Sequence, residues 1–292
     1  MIQQFIVNGL IAGSTYAFIA LSFALIYSVA RFFHFAHGAV CALGAYACYG
    51  LNVWLGFPLW TAVPLAIIIC CALGLIMEKG LYHPLRKRGA SPLVLLLASL
   101  GLYIVLENLI ALLFGNETRI LRTGIVGPGV MVAGARITVV QIVTVTICWI
   151  VLVATWIMLR LTETGRIFRA VSGDPDLARI LGVRSWVVNA VAFVVGSGMA
   201  GLASILVALD IDMRPTMGLW LLLPGVVAMI VGGTGSVPGA LVGGLILGLV
   251  QHLGVWAIGA RWQDAIAFVV LVLCLAIRPW GIFGRPTARA AI

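Results

Sequence analysis

The sequence predicts an all-α polytopic membrane protein with about nine transmembrane helices, within a range of eight to ten. Three observations carry this. Of 292 residues, 63% are apolar and 9% charged, against about 25% charged in an ordinary soluble domain. A soluble chain of this size could not cover its surface with so few charges, which sets aside a soluble enzyme, a disordered chain and a disulfide scaffold. Long runs carry no charge at all, and Gly/Pro clusters break the longest of them.

The elements follow in order from charge spacing. Residues 1–30 contain no charged side chain and form the first span. It lacks the positive start of a cleavable signal peptide, and its apolar run is too long for one. The run 32–77, between Arg31 and Glu78, has 46 residues. One crossing needs about 20 apolar residues, so this run holds two spans, punctuated by Gly56, Pro58 and Pro64. Segment 93–114 carries Glu107 in mid-span. A central carboxylate costs about 2.5–3.5 kcal/mol, while each Leu, Ile, Val or Phe contributes about 0.3–0.6 in favour. Ten Leu and five other such residues outweigh it. Glu107-Asn108 is expected to face the bundle interior, bonding other helices or lining a pathway. Spans 137–159 and 185–209 come next. The 46-residue run 215–260 again holds two spans, broken at Gly232, Gly233, Gly235, Pro238 and Gly239. Residues 262–279, with Asp264 near the entry, form the last.

Alternating these segments puts Arg31, Lys79, Arg86, Lys87, Arg88, Arg160, Arg166, Arg169, Arg179, Arg184, Arg278, Arg285 and Arg289 on one side, and Arg119, Arg122, Arg136, Arg214 and Arg261 on the other. Thirteen against five marks the first side as cytoplasmic. The C-terminus is then inside and the N-terminus outside. The six Cys lie within spans without a CxxC pair and read as small packing residues.

No Walker A sequence is present, because neither Lys79 nor Lys87 follows a Gly. Any ATP must be hydrolysed by another chain. Gly196-Ser-Gly198-Met-Ala-Gly201 matches GxGxxG, but it lies inside a span rather than after a strand. It reads as close helix packing, as do Gly239-x3-Gly243 and Gly244-x3-Gly248. In the cytoplasmic loop 160–185, Asp174-Pro175 is a helix start. A short helix Pro175–Leu181, carrying Asp176, Ala178 and Arg179, is expected to end at Gly182. It either lies on lipid headgroups or docks into a cytoplasmic partner. His34 and His37 sit one turn apart beside a break, placed for capping, loop packing or proton relay.

Several collinear pieces resemble one family, the permease subunits of branched-chain amino-acid ABC importers. They are Gly13-Ser14-Thr15-Tyr16-Ala17, His34-Phe35-Ala36-His37-Gly38, Arg166 to Asp174, Gly232-Gly233-x-Gly235-Ser236-x-Pro238-Gly239-Ala240, and the ending Arg278 to Pro286. The order is closer to the first of the family's two permease types. His34 stands where the family's motif has Asn. Asp176-Leu177-Ala178-x3-Gly182 matches the importer pattern Glu-Ala-Ala-x3-Gly in part, with Asp for Glu and Leu for Ala.

The resemblance implies a single permease domain over 1–292. It implies a heterodimer with a second permease, two ATP-binding-cassette subunits and a periplasmic or lipid-anchored binding protein. The location implied is the bacterial cytoplasmic (inner) membrane. The chain itself would bind no cofactor; ATP and magnesium would be used by the ATPase partners. Asp174, Pro175, Asp176, Ala178, Arg179 and Gly182 would form the coupling helix. Residues 34–38 with Gly232, Gly233, Gly235, Pro238 and Gly239 are candidate pathway positions at broken helices. The expected cargo is branched-chain or other hydrophobic amino acids. A urea, short-amide or other amino-acid importer and a stand-alone secondary transporter are the alternatives. Segments 5–88 and 205–289 are candidate internal repeats, because His37-Gly38-Ala39-Val40 and Pro238-Gly239-Ala240-Leu241 each follow a break and open a Gly-rich helix.

Overall fold

The computed structural model describes residues 2–121, 129–132 and 134–284. Arg122, Arg285, Pro286 and Arg289 lie outside the described residues. Twelve helices are present among these: α1 Ile2–Ala30, α2 Ala36–Tyr49, α3 Leu59–Met77, α4 His83–Lys87, α5 Pro92–Phe114, α6 Val139–Leu161, α7 Glu163–Gly173, α8 Pro175–Ile180, α9 Ser185–Asp210, α10 Met217–Gly232, α11 Val237–Ile258 and α12 Gln263–Ile277. Two short antiparallel strands, Val130–Val132 and Ala135–Ile137, precede α6. A π-helical turn at Glu78–Tyr82 joins α3 to α4.

Seven helical segments among the described residues are long and apolar enough to cross a membrane. The expectation of about nine includes two helices that are shorter than this criterion. Each 46-residue run does hold two helices, but one of each pair is short. Helix α2 has 14 residues and α10 has 16, below the ~20 that a perpendicular crossing requires. The breaks beside them consume residues that charge spacing assigns to spans.

The chain divides into two compact units. One comprises 1–24, 125–152 and 223–292; the other comprises 25–124 and 153–222. In the first, Gly244 and Gly248 of α11 lie against Ala17 and Gly13 of α1, backbone to backbone. Gln4 exchanges hydrogen bonds with the Arg136 backbone, Nε2 to O at 3.0 Å and N to Oε1 at 2.8 Å. In the second, α2, α3 and α9 pack closely because Gly44, Gly198 and Gly201 leave no side chain between them. Gly198 meets Cys71, Gly201 meets Cys70, and Gly44 meets Gly201. The GxGxxG match is thus a packing surface. Arg119 and Met213 form a backbone bridge, and Arg214 Nε donates to Thr118 Oγ1 at 2.9 Å. The segments that carry Arg119 and Arg214 are thus joined.

Helix α5 departs from expectation. Its buried stripe is Leu95, Ser99, Tyr103 and Ile110. Asn108, five positions past Tyr103, lies about 140° around the helix from that stripe. It is exposed and donates to the Ile104 carbonyl at 2.7 Å. Glu107 is half-buried beside Tyr103. Asn108 does not face the interior of this chain, whereas Glu107 is turned toward the buried Tyr103.

Candidate functional site: a helix break tied to a short capped helix

Helix α1 ends at Ala30, and Arg31 takes a left-handed conformation with φ 56°. A non-glycine residue adopts this only where its surroundings hold it. Here the Arg31 guanidinium donates from Nη2 to the carbonyls of Ser172 and Gly173, both at 2.8 Å. Those are among the orphan carbonyls at the end of α7, where a cation is favoured. The break following α1 is therefore fastened to the segment that leads into α8.

Inside the break, His34 is fully buried. Its Nδ1 lies 3.1 Å from the Tyr82 hydroxyl and 3.4 Å from Ser99 Oγ. Ser99 Oγ also accepts from Ala36 N at 3.0 Å, at the start of α2. The Phe193 ring centroid is 5.0 Å from that of His34, and the His37 ring is 5.8 Å away. Residues 34–37 thus lock the start of α2 to α5, α9 and the π-helical turn. Phe35 precedes α2, and Ala36 and His37 are buried. Gly38 is required by close approach: a Cβ there would sit 3.2 Å from the Gly218 carbonyl carbon and oxygen.

The second break, in the other unit, runs between α10 and α11. Ser236 Oγ accepts from Gly239 N at 3.1 Å, with Pro238 in the first turn of α11. Gly233 and Gly235 have positive φ, 107° and 83°. The end of α10 would leave carbonyls unpaired. The C-terminal segment supplies partners: Ile282 N donates to Val231 O and Phe283 N to Gly232 O, both at 2.9 Å. This capping role of the chain ending has no signature in composition or spacing.

The short helix α8 forms where its caps require. Asp174 Oδ1 accepts from Asp176 N and Leu177 N, both at 3.0 Å. Pro175 follows at the first helical position. At the other end Gly182, φ 83°, closes a Schellman motif, with Gly182 N donating to Arg179 O and Val183 N to Ala178 O, both at 3.0 Å. The helix stops at Ile180, with Leu181 as its cap. Ala178 is buried, whereas Leu177, Ile180 and Leu181 are 55%, 81% and 73% exposed. Sequence reading missed α7. Thr162 Oγ1 caps it by accepting from Gly165 N at 3.1 Å, and Gly165, Phe168 and Val171 are its buried face. The i, i+3 spacing of Phe168 and Val171 was the available signal.

Beside α8 lies a cavity of about 650 Å³, lined in part by Val29, Arg31, Pro175, Arg179, Gly182 and Trp186. Among the described residues no cluster of His, Cys, Asp or Glu could hold a metal ion.

The family described as branched-chain amino acid transport system / permease component matches residues 5–275. The permease protein BraD of the high-affinity branched-chain amino acid transport system of Pseudomonas aeruginosa is 32% identical, over 97% of this chain and 96% of its own. LivH of Escherichia coli K12, named for the same system, is 32% identical over 96% and 94%. The ribose import permease RbsC of E. coli K12 is 30% identical over 46% of this chain. Among solved structures, PsaBC from Streptococcus pneumoniae in complex with Fab superposes with a TM-score of 0.55 over 96% of this chain and 94% of that one, at 13% identity, a likeness of fold. With a match over nearly its whole length, the chain belongs to the branched-chain amino acid transport permease family.

Proposed function

We propose that the chain is the membrane subunit of an ATP-binding-cassette importer that passes branched-chain or other hydrophobic amino acids across the bacterial cytoplasmic membrane. The observation that carries this is α8. A six-residue helix capped at both ends, with Leu177, Ile180 and Leu181 turned out and Ala178 turned in, is a preformed apolar knob. Exposed apolar side chains so grouped suit a protein groove, and an ATPase subunit is the partner whose work the permease needs. Asp174, Pro175, Asp176, Arg179 and Gly182 set the knob's shape. ATP and magnesium act in the ATPase pair, and this chain binds neither.

The coupling step follows from Arg31. Closure of the ATPases on ATP moves α8; α7 moves with it, and the Arg31 bonds carry the displacement to the break at 31–35. The His34–Tyr82–Ser99 cluster then transmits it to α2 and α5. Residues 34–38 and the Gly232–Gly239 break are the bending points of alternating access. A binding protein outside delivers the cargo, and hydrolysis resets the pair. The half-buried Glu107 and exposed Asn108 on α5 mark the face that meets the second permease, because lipid offers such groups no partner. The short helices α2 and α10 count as intramembrane segments beside the seven long ones, making nine. Segments 5–88 and 205–289 are related repeats, each with a break before a Gly-rich helix, α2 or α11.

The test is affinity purification of the tagged chain in mild detergent from a membrane expressing its neighbouring genes, with partners identified by mass spectrometry. Two ATPase chains and a second permease are expected. A chain that purifies alone overturns the docking role of α8 and favours a stand-alone carrier.

A further inference from the structure

The cavity beside α8 has a chemistry that amino-acid transport does not use. Five cations line it: Arg31 at the end of α1, Arg86 and Lys87 on α4, Arg179 on α8 and Arg184 at the start of α9. No carboxylate lines it. Glu78, from the π-helical turn, pairs with Arg86, and Asp176 stands 3.7 Å from Arg179. Arg31 Nη2 donates to neutral carbonyls. Among the described residues no carboxylate pairs with Lys87 or Arg184, so three positive charges remain in excess around one opening.

The lining also holds a donor without a partner. Arg86 Nη1 is buried and makes no hydrogen bond, and Ser185 Oγ, in the same wall, makes none either. Glu78 Oε2, on the carboxylate that pairs with Arg86, is buried and unpaired as well, so it is the cations lining the cavity that call for an anion. The space, about 650 Å³, exceeds what a single ion fills. Apolar side chains, Val29, Val171 and Trp186, form part of the wall. Trp186 is 45% exposed at the start of α9, where an interfacial aromatic belongs. Guanidinium and ammonium groups around a half-apolar pocket at helix ends suit a tetrahedral, multiply charged oxyanion.

We propose that this cavity is a binding site for a phosphoryl anion, presented by the headgroup of an acidic membrane lipid or free in solution. The bound group bridges α4, α8 and α9 and thereby fixes the seat of the short helix. The inference does not depend on the transport reading, because binding is measured on the purified chain whether or not ATPases are attached.

The experiment uses the full chain in neutral detergent, titrated with cardiolipin, phosphatidylglycerol, phosphatidylcholine or inorganic phosphate, with bound species read by native mass spectrometry. The site variant is Lys87→Gln with Arg184→Gln, which leaves the Glu78–Arg86 pair intact. The control is Arg88→Gln with Arg166→Gln, which removes two cations of the same charge-rich side that do not line the cavity. We expect one acidic lipid or phosphate per chain and no retained phosphatidylcholine. Binding should fall about thirtyfold in the site variant, the loss expected for two cations near a phosphate, and remain unchanged in the control. If millimolar phosphate displaces the lipid, the soluble ion is the occupant; if it does not, the headgroup is. Equal binding by wild type and site variant overturns the proposal. So does an equal loss in the control, which would make the effect a property of surface charge. Release of the anion when the ATPase subunits are added also overturns it, because the cavity would then belong to the protein interface.

Discussion

Arg31 and Glu78 are charged residues held in unusual states, one with a left-handed backbone and the other as a buried carboxylate. Arg31 holds a left-handed backbone, and its guanidinium reaches two carbonyls at the end of α7. Bonds to a charged donor contribute about 1.5–3 kcal/mol each. In the assembled importer, Arg31→Gln is expected to lower uptake by about tenfold, the equivalent of one such bond. ATP hydrolysis should persist, with Arg31→Lys recovering part of the uptake. Radiolabelled uptake alongside phosphate release in reconstituted vesicles reads both; a parallel fall in the two rates would place Arg31 in ATPase docking instead. Glu78 is 1% exposed and its partner is Arg86. Removing one member of a buried pair costs about 3–5 kcal/mol, while removing both is far cheaper. Arg86→Ala should therefore sharply lower the thermal stability of the detergent-solubilised chain, and Glu78→Gln added to it should restore most of the loss. The sequence displays Arg31 and Glu78 only as the charges that bound an apolar run. Their pairing partners lie 141 positions ahead of Arg31 and 8 ahead of Glu78, and no local pattern announces the longer link.

At the scale of elements, the proposed function rests on α8 and the two breaks. Replacing an N-cap Asp by Ala costs about 1 kcal/mol, a large fraction of what holds a six-residue helix in shape. Asp174→Ala should weaken ATPase copurification several-fold, and Ile180→Asp, which places a charge on the 81% exposed knob, should abolish it. Quantitative mass spectrometry of the purified complex checks both; normal ATPase recovery with Ile180→Asp would refute the docking face. At the breaks, the close approaches differ. A Cβ at Gly239 would lie 2.5 Å from Gly232 O, whereas one at Gly38 lies 3.2 Å from Gly218. Overpacking costs about 1–3 kcal/mol, so Gly239→Ala should lose more thermal stability than Gly38→Ala. Leucine at either position should eliminate uptake. Helix α8 was legible because its signals are local: Asp174-Pro175 before it and Gly182 after it lie within one short segment. The breaks were legible for the same reason, since Gly and Pro act on their own backbone. Helix α7 was missed because Thr162 is a weaker signal and its apolar residues are only a short stripe. The capping of α10 by Ile282 and Phe283 was invisible because it uses backbone amides, which every sequence possesses.

For the whole molecule, the proposed function places cargo choice in the assembly rather than in this chain alone. Uptake by the reconstituted complex is expected to fall to background when the binding protein is omitted, and to return when it is supplied. Uptake that proceeds without it, driven by an ion gradient, would favour the stand-alone carrier. The class of molecule was readable from amino-acid order, because insertion into a membrane depends on summed apolar transfer along the chain. The side of each loop is an expectation from the Lys and Arg counts, and the backbone bridge between Arg119 and Met213 is a contact those counts do not contain. Tertiary structure decided what depends on rotation and on distance along the chain. It turned Asn108 outward on α5, shortened α2 and α10 into partial segments, and closed His34, Tyr82 and Ser99 into one cluster. It also gathered cations from four helices around one cavity. Hydropathy is a sum over neighbours and survives projection onto a line, whereas a contact between distant residues exists only once the helices have packed.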